Sequence, residues 1–420
     1  GALAGAWFAR GAGLQRVLAF DMGGTTAKLA LVDDGEPLLA WGFEAARAKR
    51  FLRGSGLPIQ IATIELIEIG AGGGSIARAS ELGTLSVGPD SAGAEPGPAC
   101  YGRGGTEPTV TDADLLLGYL NADFFLGGAM RIDPGAASDA VARLADSLGM
   151  ERMRAAYGVH DVVNENMAGA ARVAIAERGR VPGDYALMAT GGAAPVHAWQ
   201  AARKLGLKRL ICPPGAGVGS TIGMLMAPAR VDLVASLNVP LSTADWDAIA
   251  AIFTRLRTEA DTAIAPTGAD AAGAVARRLA DMRYIGQGSE ITVALPATLS
   301  AITVRDAFET EYRKLFARTP PGAAIQFVTL RLAVSAEMPG SGGRLTRMNG
   351  TGPEHKNQRP VWFPEAGGFV DTPVFDRYAL TPGAVIDGPA IFEENESTLV
   401  IGPGGRATVL IDGVIDVVVP

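Results

Sequence analysis

The chain carries the sequence Phe20-Asp21-Met22-Gly23-Gly24-Thr25-Thr26-Ala27-Lys28 near its start. The apolar run before it predicts a buried strand over residues 16–20, and residues 27–32 predict a returning strand. Glycines let backbone N–H groups approach phosphate oxygens, hydroxyls add donors, and a carboxylate at a strand end can hold hydrated Mg²⁺. The stretch therefore predicts a phosphate-binding hairpin, with an ordinary Gly-Gly turn as the alternative.

A second glycine run, Gly72-Gly73-Gly74-Ser75, follows an Ile-rich segment that predicts a strand over residues 61–69. A glycine triplet after a strand has many uses, so this run is a weaker candidate for ligand contact than the first.

A third candidate is the turn at residues 190–197, which separates a predicted strand, 186–190, from a predicted helix, 195–205. A strand over 208–212 completes a parallel βαβ unit. Free amides and the positive end of the helix dipole favour an anionic or nucleotide ligand at such a turn. The candidate contacts are Gly191, Gly192, Ala193 and His197. A close-packed turn is the alternative reading of this segment.

The spacing of the histidines in the sequence does not indicate a metal site. His197 could touch a ligand or play a structural role, while His160 and His355 have no ligand-spaced neighbours. We therefore predict no His-based metal cage. Cys100 is predicted to be a buried, inert residue, Asp161 to cap a helix, and the acidic run 393–396 to face solvent.

Length and composition indicate more than one domain. The chain has 420 residues, of which 48% are hydrophobic, enough for two or more cores. The pattern changes near Leu237, so we predict an α/β domain over residues 1–237 and a second domain, helical and then β-rich, over 238–420.

Charge limits the possible binding partners, and cysteine content indicates the cellular compartment. The formal net charge is −7 and no block of Lys or Arg occurs, which argues against nucleic acid and membrane surfaces as partners. Two separated cysteines fit a reducing compartment, and no run of eighteen apolar residues occurs. We expect a cytoplasmic protein.

Several motifs follow one another in a fixed order along nearly the whole chain. They lie at residues 20–25, 69–76, 91–102, 109–114, 164–167, 191–198, 283–288 and 388–394. In this order they resemble the hydantoinase A/5-oxoprolinase family. Residues 49–58 and Lys28 are most similar to its hydantoinase-like branch, and Ala194 replaces the usual glycine.

The resemblance implies an α/β fold whose ATPase core is ribonuclease-H-like, of the actin, sugar-kinase and heat-shock-chaperone type, with a C-terminal α+β, β-rich domain. Family members open hydantoins, 5-oxoproline or lactams, and relatives carboxylate ketones. ATP phosphorylates the carbonyl oxygen of a small cyclic amide or ketone, and a hydantoinase B-type subunit completes the reaction. ATP and Mg²⁺ are the implied cofactors, and an oligomer is expected.

Carried over residue by residue, the resemblance gives roles to the candidates. Asp21 would be catalytic and would position Mg²⁺ through water. Residues 191–193 would face adenosine, and His197 is a further candidate contact. The remaining candidate cofactor contacts, expected chiefly at phosphates, are Gly23, Gly24, Thr25, Thr26, Lys28, Gly72, Gly73, Gly74 and Ser75.

The family's N-terminal lobe carries its own phosphate hairpin, and the motif occurs here once, so we expect a missing N-terminal lobe as a partner of this chain. Two other classes stay open at this point. A small-molecule kinase of the same superfamily would phosphorylate a hydroxyl directly, and a nucleotide-gated scaffold would bind ATP without turnover.

Overall fold

The structure is a computed structural model that describes residues 1–46, 48, 55–59, 61–340, 350, 352 and 355–420. Residues 49–54 of the hydantoinase-like stretch lie outside this set. The chain forms two compact units, one made of Gly1–Leu225 with Arg344–Pro420 and one made of Met226–Gly343. Each unit has its own hydrophobic core.

Residues 1–225 contribute helices and short strands to the first unit. The helices are α1 (Ala2–Gly11), α2 (Val110–Leu116), α3 (Pro134–Leu148), α4 (Arg152–Glu177), α5 (Ala194–Leu205) and α6 (Gly219–Leu225). The strands are β1 (Arg16–Met22), β2 (Ala27–Asp33), β3 (Glu36–Pro37), β4 (Leu39–Ala40), β5 (Phe43–Ala45), β6 (Leu57–Ile59), β7 (Thr63–Ile64), β8 (Ile67–Ile69), β9 (Ser75–Ala79), β10 (Leu85–Ser91), β11 (Ala186–Thr190) and β12 (Arg209–Cys212).

The second unit is an antiparallel sheet with two helices. Its strands are β13 (Ala229–Pro240), β14 (Val275–Tyr284), β15 (Ile291–Ala294) and β16 (Ile325–Ala336), and its helices are α7 (Trp246–Ile264) and α8 (Ala301–Phe316). The strand order is β13-β16-β14-β15.

The C-terminal tail is β-rich and belongs to the first unit. Its strands are β17 (Asn357–Phe363), β18 (Gly368–Asp376), β19 (Val385–Asp387), β20 (Ala390–Glu393), β21 (Thr398–Ile401), β22 (Arg406–Val409) and β23 (Ile415–Val418).

A mixed sheet organises the first unit, in the order β19-β22-β23-β12-β11-β1-β2-β3 with β8 also paired to β2. Strand β1 runs parallel to β11 and antiparallel to β2, and β11 runs parallel to β12. The predicted βαβ unit is therefore confirmed. Helix α5 ends at Leu205 because the next residue, Gly206, adopts the left-handed conformation with φ 70°.

The structure divides the chain differently from the sequence-based boundary at Leu237, which falls inside β13. Strand β23 pairs with β12 of the N-terminal half, and Trp199 of α5 is almost fully buried in the shared core. Burying a large aromatic side chain stabilises a fold by about 1.5–3 kcal/mol. The compact units therefore differ from the predicted division, because the tail completes the first unit.

Two local predictions are wrong. Asp161 does not cap a helix but lies inside α4, which begins at Arg152 because Glu151 accepts a hydrogen bond from the Arg154 amide. The Ile-rich segment 61–69 is not one strand, since β7 and β8 are separated by residues 65 and 66. None of the described helices combines the length and apolar character needed to cross a bilayer.

Candidate functional site

The glycine hairpin between β1 and β2 is supported by the second glycine run. The Gly73 amide donates to the Gly23 carbonyl oxygen at 3.0 Å, and the Gly74 amide donates to the Gly24 carbonyl oxygen at 2.6 Å. A Cβ atom at Gly72 would lie 2.6 Å from the Gly24 backbone. Only glycine permits this approach, so the two runs form one unit.

The second glycine run, residues 72–75, mainly contacts other parts of the protein. Ser75 is fully buried, and its hydroxyl accepts a hydrogen bond from the Gly72 amide at 2.9 Å. Gly73 also lines a cavity. Ligand contact by Gly72, Gly74 and Ser75 stays a prediction, while their support of the hairpin is observed.

The tip of the hairpin is exposed. Gly24 and Thr25 lie at the surface, and Gly23 donates its amide to the Thr26 carbonyl oxygen at 3.1 Å. Within the described part of the chain, no backbone acceptor bonds the Gly24 or Thr25 amide. A Cβ atom at Gly23 or Gly24 would meet nothing within 4 Å. The hairpin therefore offers backbone donors, with open space beside its two glycines.

Asp21 lies where the parallel strands β1 and β11 end. It is in register with Thr190 on β11 and with Lys28 on β2. Its side chain is 21% exposed, and the Ser220 hydroxyl donates to its Oδ2 atom. Lys28 lies 3.8 Å from a carboxylate oxygen of Glu68. The predicted catalytic carboxylate thus stands at the carboxyl edge of the sheet, where α/β proteins commonly bind ligands.

The strand-to-helix turn after β11 meets the hairpin directly. Ala193 donates its amide to the Met22 carbonyl oxygen at 3.0 Å. Gly191 has φ 90°, and a Cβ atom there would lie 2.4 Å from that same Met22 oxygen and 2.6 Å from Asp21 Oδ1. Glycine is required both by the backbone angle and by the contact. The structure therefore brings the first and third candidate segments together.

A cavity of about 370 Å³ adjoins these segments in the first unit. One wall is backbone from the glycine-rich segments, contributed by Gly23, Gly24, Gly73, Gly192 and Ala193. An apolar part of the lining is formed by Leu120, Phe124, Phe125, Leu126 and Met130. Asp21 is not among the lining residues. A polar edge with an apolar wall is the usual character of a small-molecule site.

His197 does not reach the cavity surface but belongs to a buried cluster with Asp114 and His160. His160 Nδ1 lies 2.7 Å from Asp114 Oδ1, and His197 Nε2 lies 3.2 Å from Asp114 Oδ2. The two imidazole rings stack with centroids 4.7 Å apart. We call these three residues the Asp-His-His cluster. Asp114 is also one of the residues that line the cavity.

In this cluster, burial and pairing have opposite effects on the pKa of Asp114 and on the pKa of His160. Burial alone would raise the pKa of Asp114, but the electrostatic attraction of His197 and the hydrogen bond with His160 outweigh it and lower that pKa to about 2. Burial lowers the pKa of His160, although its bond to Asp114 opposes the shift. The arrangement keeps Asp114 ionised. Sequence reasoning missed it because the residues lie on α2, α4 and α5, far apart in the chain.

Contrary to the prediction, the first two residues of the acidic run at residues 393–396 are buried and do not face solvent. Glu393 and Glu394 are 1% and 3% exposed. Glu394 accepts hydrogen bonds from the Gly215 amide at 3.2 Å, the Ala216 amide at 2.9 Å and the Ser397 hydroxyl at 2.6 Å. Glu393 and Glu394 are buried because their carboxylates bind backbone donors and cations, whereas Asn395 is exposed and Glu396 is half-buried. Residues 394–398 line the cavity.

Cys100 is buried as predicted, and so is Cys212. Burial, with the nearby Asp112 carboxylate adding to it, raises the pKa of Cys100. A thiol in this state is a poor nucleophile.

Comparison with known proteins places these features in a family. Residues 1–233 match the hydantoinase/oxoprolinase family model, and residues 241–414 match the hydantoinase/oxoprolinase C-terminal domain. The chain belongs to the hydantoinase/oxoprolinase family.

Individual relatives agree with this assignment. The caprolactamase subunit alpha of Pseudomonas jessenii is 33% identical over 96% of this chain and 58% of its own length. The acetophenone carboxylase gamma subunit of Aromatoleum aromaticum is 32% identical over 97% of this chain and 57% of its own length. The chain therefore spans less than two thirds of these relatives.

A solved structure of the ATP-dependent caprolactamase from Pseudomonas jessenii matches with a TM-score of 0.83 and 31% identity. The match covers 100% of this chain and 61% of that one. The mixed α/β fold described above is thus shared with a solved relative.

Proposed function

We propose that this chain carries the nucleotide-binding lobe of an ATP-dependent enzyme that opens a cyclic amide of the hydantoin, 5-oxoproline or lactam type. The observation that carries the proposal is the contact between the glycine hairpin and the turn after β11, with Asp21 at their junction. Exposed hairpin amides suit phosphate oxygens, and the helix start suits the rest of a nucleotide. The relative named as a caprolactamase supports the reaction class.

The strand order supports a ribonuclease-H-like lobe. The series β3-β2-β1-β11-β12 has β2 antiparallel to both its neighbours, and the other four strands run in one direction. This is the arrangement expected from the actin and sugar-kinase type of ATPase. The candidate nucleotide segments follow β1 and β11 of this series.

The residues present fit ATP with Mg²⁺. Gly23, Gly24, Thr25 and Thr26 supply donors at an exposed tip with free space before the glycines. Asp21 is the carboxylate that would hold Mg²⁺, through water, because it lies beside the hairpin at the strand end. Mg²⁺ supplies charge neutralisation for phosphates when bound. Residues 191–193 would then face the nucleoside.

Phosphorylation explains why such an enzyme needs ATP. The amide carbonyl oxygen attacks the γ-phosphorus, the bond to ADP breaks, and the phosphorylated carbonyl carbon becomes open to attack by water. The C–N bond of the resulting adduct breaks as the ring nitrogen takes up a proton, leaving an acyl phosphate. A second water hydrolyses this acyl phosphate to the opened acid and inorganic phosphate. The chain's own contribution is positioning and charge stabilisation, which dominate phosphoryl transfer.

The partners remain part of the proposal. We infer that a hydantoinase B-type subunit completes hydrolysis in a cytoplasmic, oligomeric complex. The relatives named as alpha and gamma subunits support assembly with other chains. A ketone carboxylase subunit is the second candidate, since one relative is named as an acetophenone carboxylase subunit.

Phosphate release measured on the complex with its co-expressed B-type partner tests the proposal. Hydantoin, 5-oxoproline and caprolactam are compared with acetophenone plus bicarbonate and with glucose. We expect stimulation by at least one cyclic amide and none by glucose. Stimulation by acetophenone alone would favour the second candidate, and stimulation by glucose alone would contradict both.

A further inference from the structure

The Asp-His-His cluster is more than a packed part of the core, because it leaves a buried carboxylate without a permanent cation. Asp114 is almost fully buried. Among the described residues, its ion-pair partners are His160 and His197, and no Lys or Arg pairs with it. Buried charges in proteins are normally paired, hydrogen-bonded or bound to a metal ion. Because an imidazole carries no permanent charge, a bound metal ion would supply the positive partner that this carboxylate lacks when both rings are neutral.

Hydrogen bonding within the cluster is incomplete. The contact between His160 Nδ1 and Asp114 has hydrogen-bond geometry at 2.7 Å. His197 Nε2 lies 3.2 Å from the same carboxylate but makes no hydrogen bond within the described structure, and neither does His197 Nδ1. A fully buried imidazole with two unused nitrogens carries a desolvation cost for each unsatisfied group.

The donor atoms have the spacing of metal ligands. One atom from each of Asp114, His160 and His197 lies within 4.8 Å of the others. Two ligands bound at about 2.1 Å to tetrahedral zinc lie roughly 3.4 Å apart, close to the 3.2 Å between His197 and Asp114. Small side-chain movements would bring the three atoms around one ion.

We propose that the Asp-His-His cluster binds one divalent transition-metal ion of the zinc type. Two imidazoles and one carboxylate are a preferred ligand set for such ions, and three protein ligands leave a coordination position for water or substrate. Asp114 lines the cavity, so that position is reached from the side where the apolar wall would hold a substrate. The ion would act as a Lewis acid toward a carbonyl oxygen or water there.

This site is separate from the Mg²⁺ expected at Asp21. It uses nitrogen ligands and lies in the core, whereas Asp21 stands at the partly exposed strand end. Metal binding at the cluster can therefore be measured without ATP or turnover, and its outcome is independent of the proposed reaction.

Titration of the chelator-treated 420-residue chain with Co²⁺, followed by Zn²⁺ competition, tests the proposal. We expect one equivalent of Co²⁺ to give visible absorption that Zn²⁺ abolishes. His160→Gln, His197→Gln and Asp114→Asn should each weaken Zn²⁺ binding by roughly 100-fold. His355→Gln is the matched control, because His355 is exposed and outside the cluster, and it should bind as the unmodified chain does.

Thermal unfolding in chelator identifies any variant that does not fold. If a variant does not fold, Co²⁺ titration of the unmodified chain decides whether the cluster binds a metal ion. Absence of a Co²⁺ spectrum in the unmodified chain would overturn the proposal. So would a folded His160→Gln or Asp114→Asn variant with unchanged Zn²⁺ affinity, since the histidine pair would then be an internal hydrogen-bond network only.

Discussion

The Ala193 amide donates a hydrogen bond to the Met22 carbonyl oxygen at 3.0 Å, joining two segments that lie about 170 residues apart in the chain. This bond sets the start of α5 against the end of β1. The glycine hairpin therefore has a fixed position relative to the helix terminus. A ligand with both phosphate and nucleoside parts could contact the two segments at once.

Gly72→Ala should disturb the hairpin through its contact with Gly24 and Thr25. Its Cβ atom would lie 2.6 Å from the backbone of Gly24 and Thr25, which forces the two glycine runs apart. We expect the free energy of unfolding to fall by about 1–3 kcal/mol and ATP-dependent turnover to fall with it. Denaturant unfolding and phosphate release measure the two effects.

The matched control for this change is Gly169→Ala. Gly169 lies inside α4, and a Cβ atom there would meet nothing within 4 Å. Alanine favours a helix interior over glycine by up to about 1 kcal/mol, so stability should hold or rise. Equal stability of the two alanine variants would show that the docking of the glycine runs is looser than described.

Glu394→Gln should destabilise the first unit. The substitution keeps the shape of the side chain but leaves the buried Arg377, whose Nε lies 3.5 Å from the carboxylate, without its negative partner. Removing one member of a buried ion pair costs about 3–5 kcal/mol. Thermal unfolding checks this. A loss below about 1 kcal/mol would mean that Arg377 finds sufficient acceptors in the Cys212 and Gly413 carbonyls.

Acid sensitivity should depend on Glu393. Burial would raise its pKa, but Arg359 and Lys356 outweigh burial and lower the pKa below its ordinary value of 4.5. A carboxylate with a depressed folded-state pKa stabilises the protein above its unfolded-state pKa, and that stabilisation is lost as the pH falls through the folded-state pKa. The chain should therefore lose stability below about pH 4.5.

Glu393→Gln should flatten this acid dependence, measured as the change in melting temperature between pH 7 and pH 4. Glu259→Gln provides the control, because Glu259 forms an exposed helix pair with Arg255 and such pairs contribute little. If the Glu393 variant keeps the acid dependence of the unmodified chain, other carboxylates are responsible for it.

Local signals in the sequence predicted the central βαβ unit, because Gly191, Pro195 and Gly206 mark its turns where the apolar runs stop. Local sequence signals did not predict the contact between the glycine hairpin and the turn after β11, although the resemblance to a family implied it. The sequence did not connect Asp114 with His160, because their proximity depends on how α2, α4 and α5 pack.

Long-range pairing also explains the wrong prediction for the acidic run. In sequence, residues 393–396 are a cluster of charge, which is usually solvated. Their cations, Lys356, Arg359 and Arg377, come from elsewhere in the tail, and their backbone donors come from Gly215 and Ala216. No local pattern reveals such partners. The same pairing places the tail in the first unit and not with residues 226–343.

Asp21→Asn is the sharpest test of whether Asp21 and the glycine hairpin form the ATP site. Asparagine keeps the size of the side chain and removes its charge. Because electrostatic stabilisation in phosphoryl transfer is worth several kcal/mol, substrate-stimulated phosphate release by the complete enzyme should fall by roughly 100-fold or more. The melting temperature should stay near that of the unmodified enzyme and of Asp306→Asn, an exposed control on α8. Near-normal phosphate release from a folded Asp21→Asn enzyme would show that the hairpin is structural and would contradict the account.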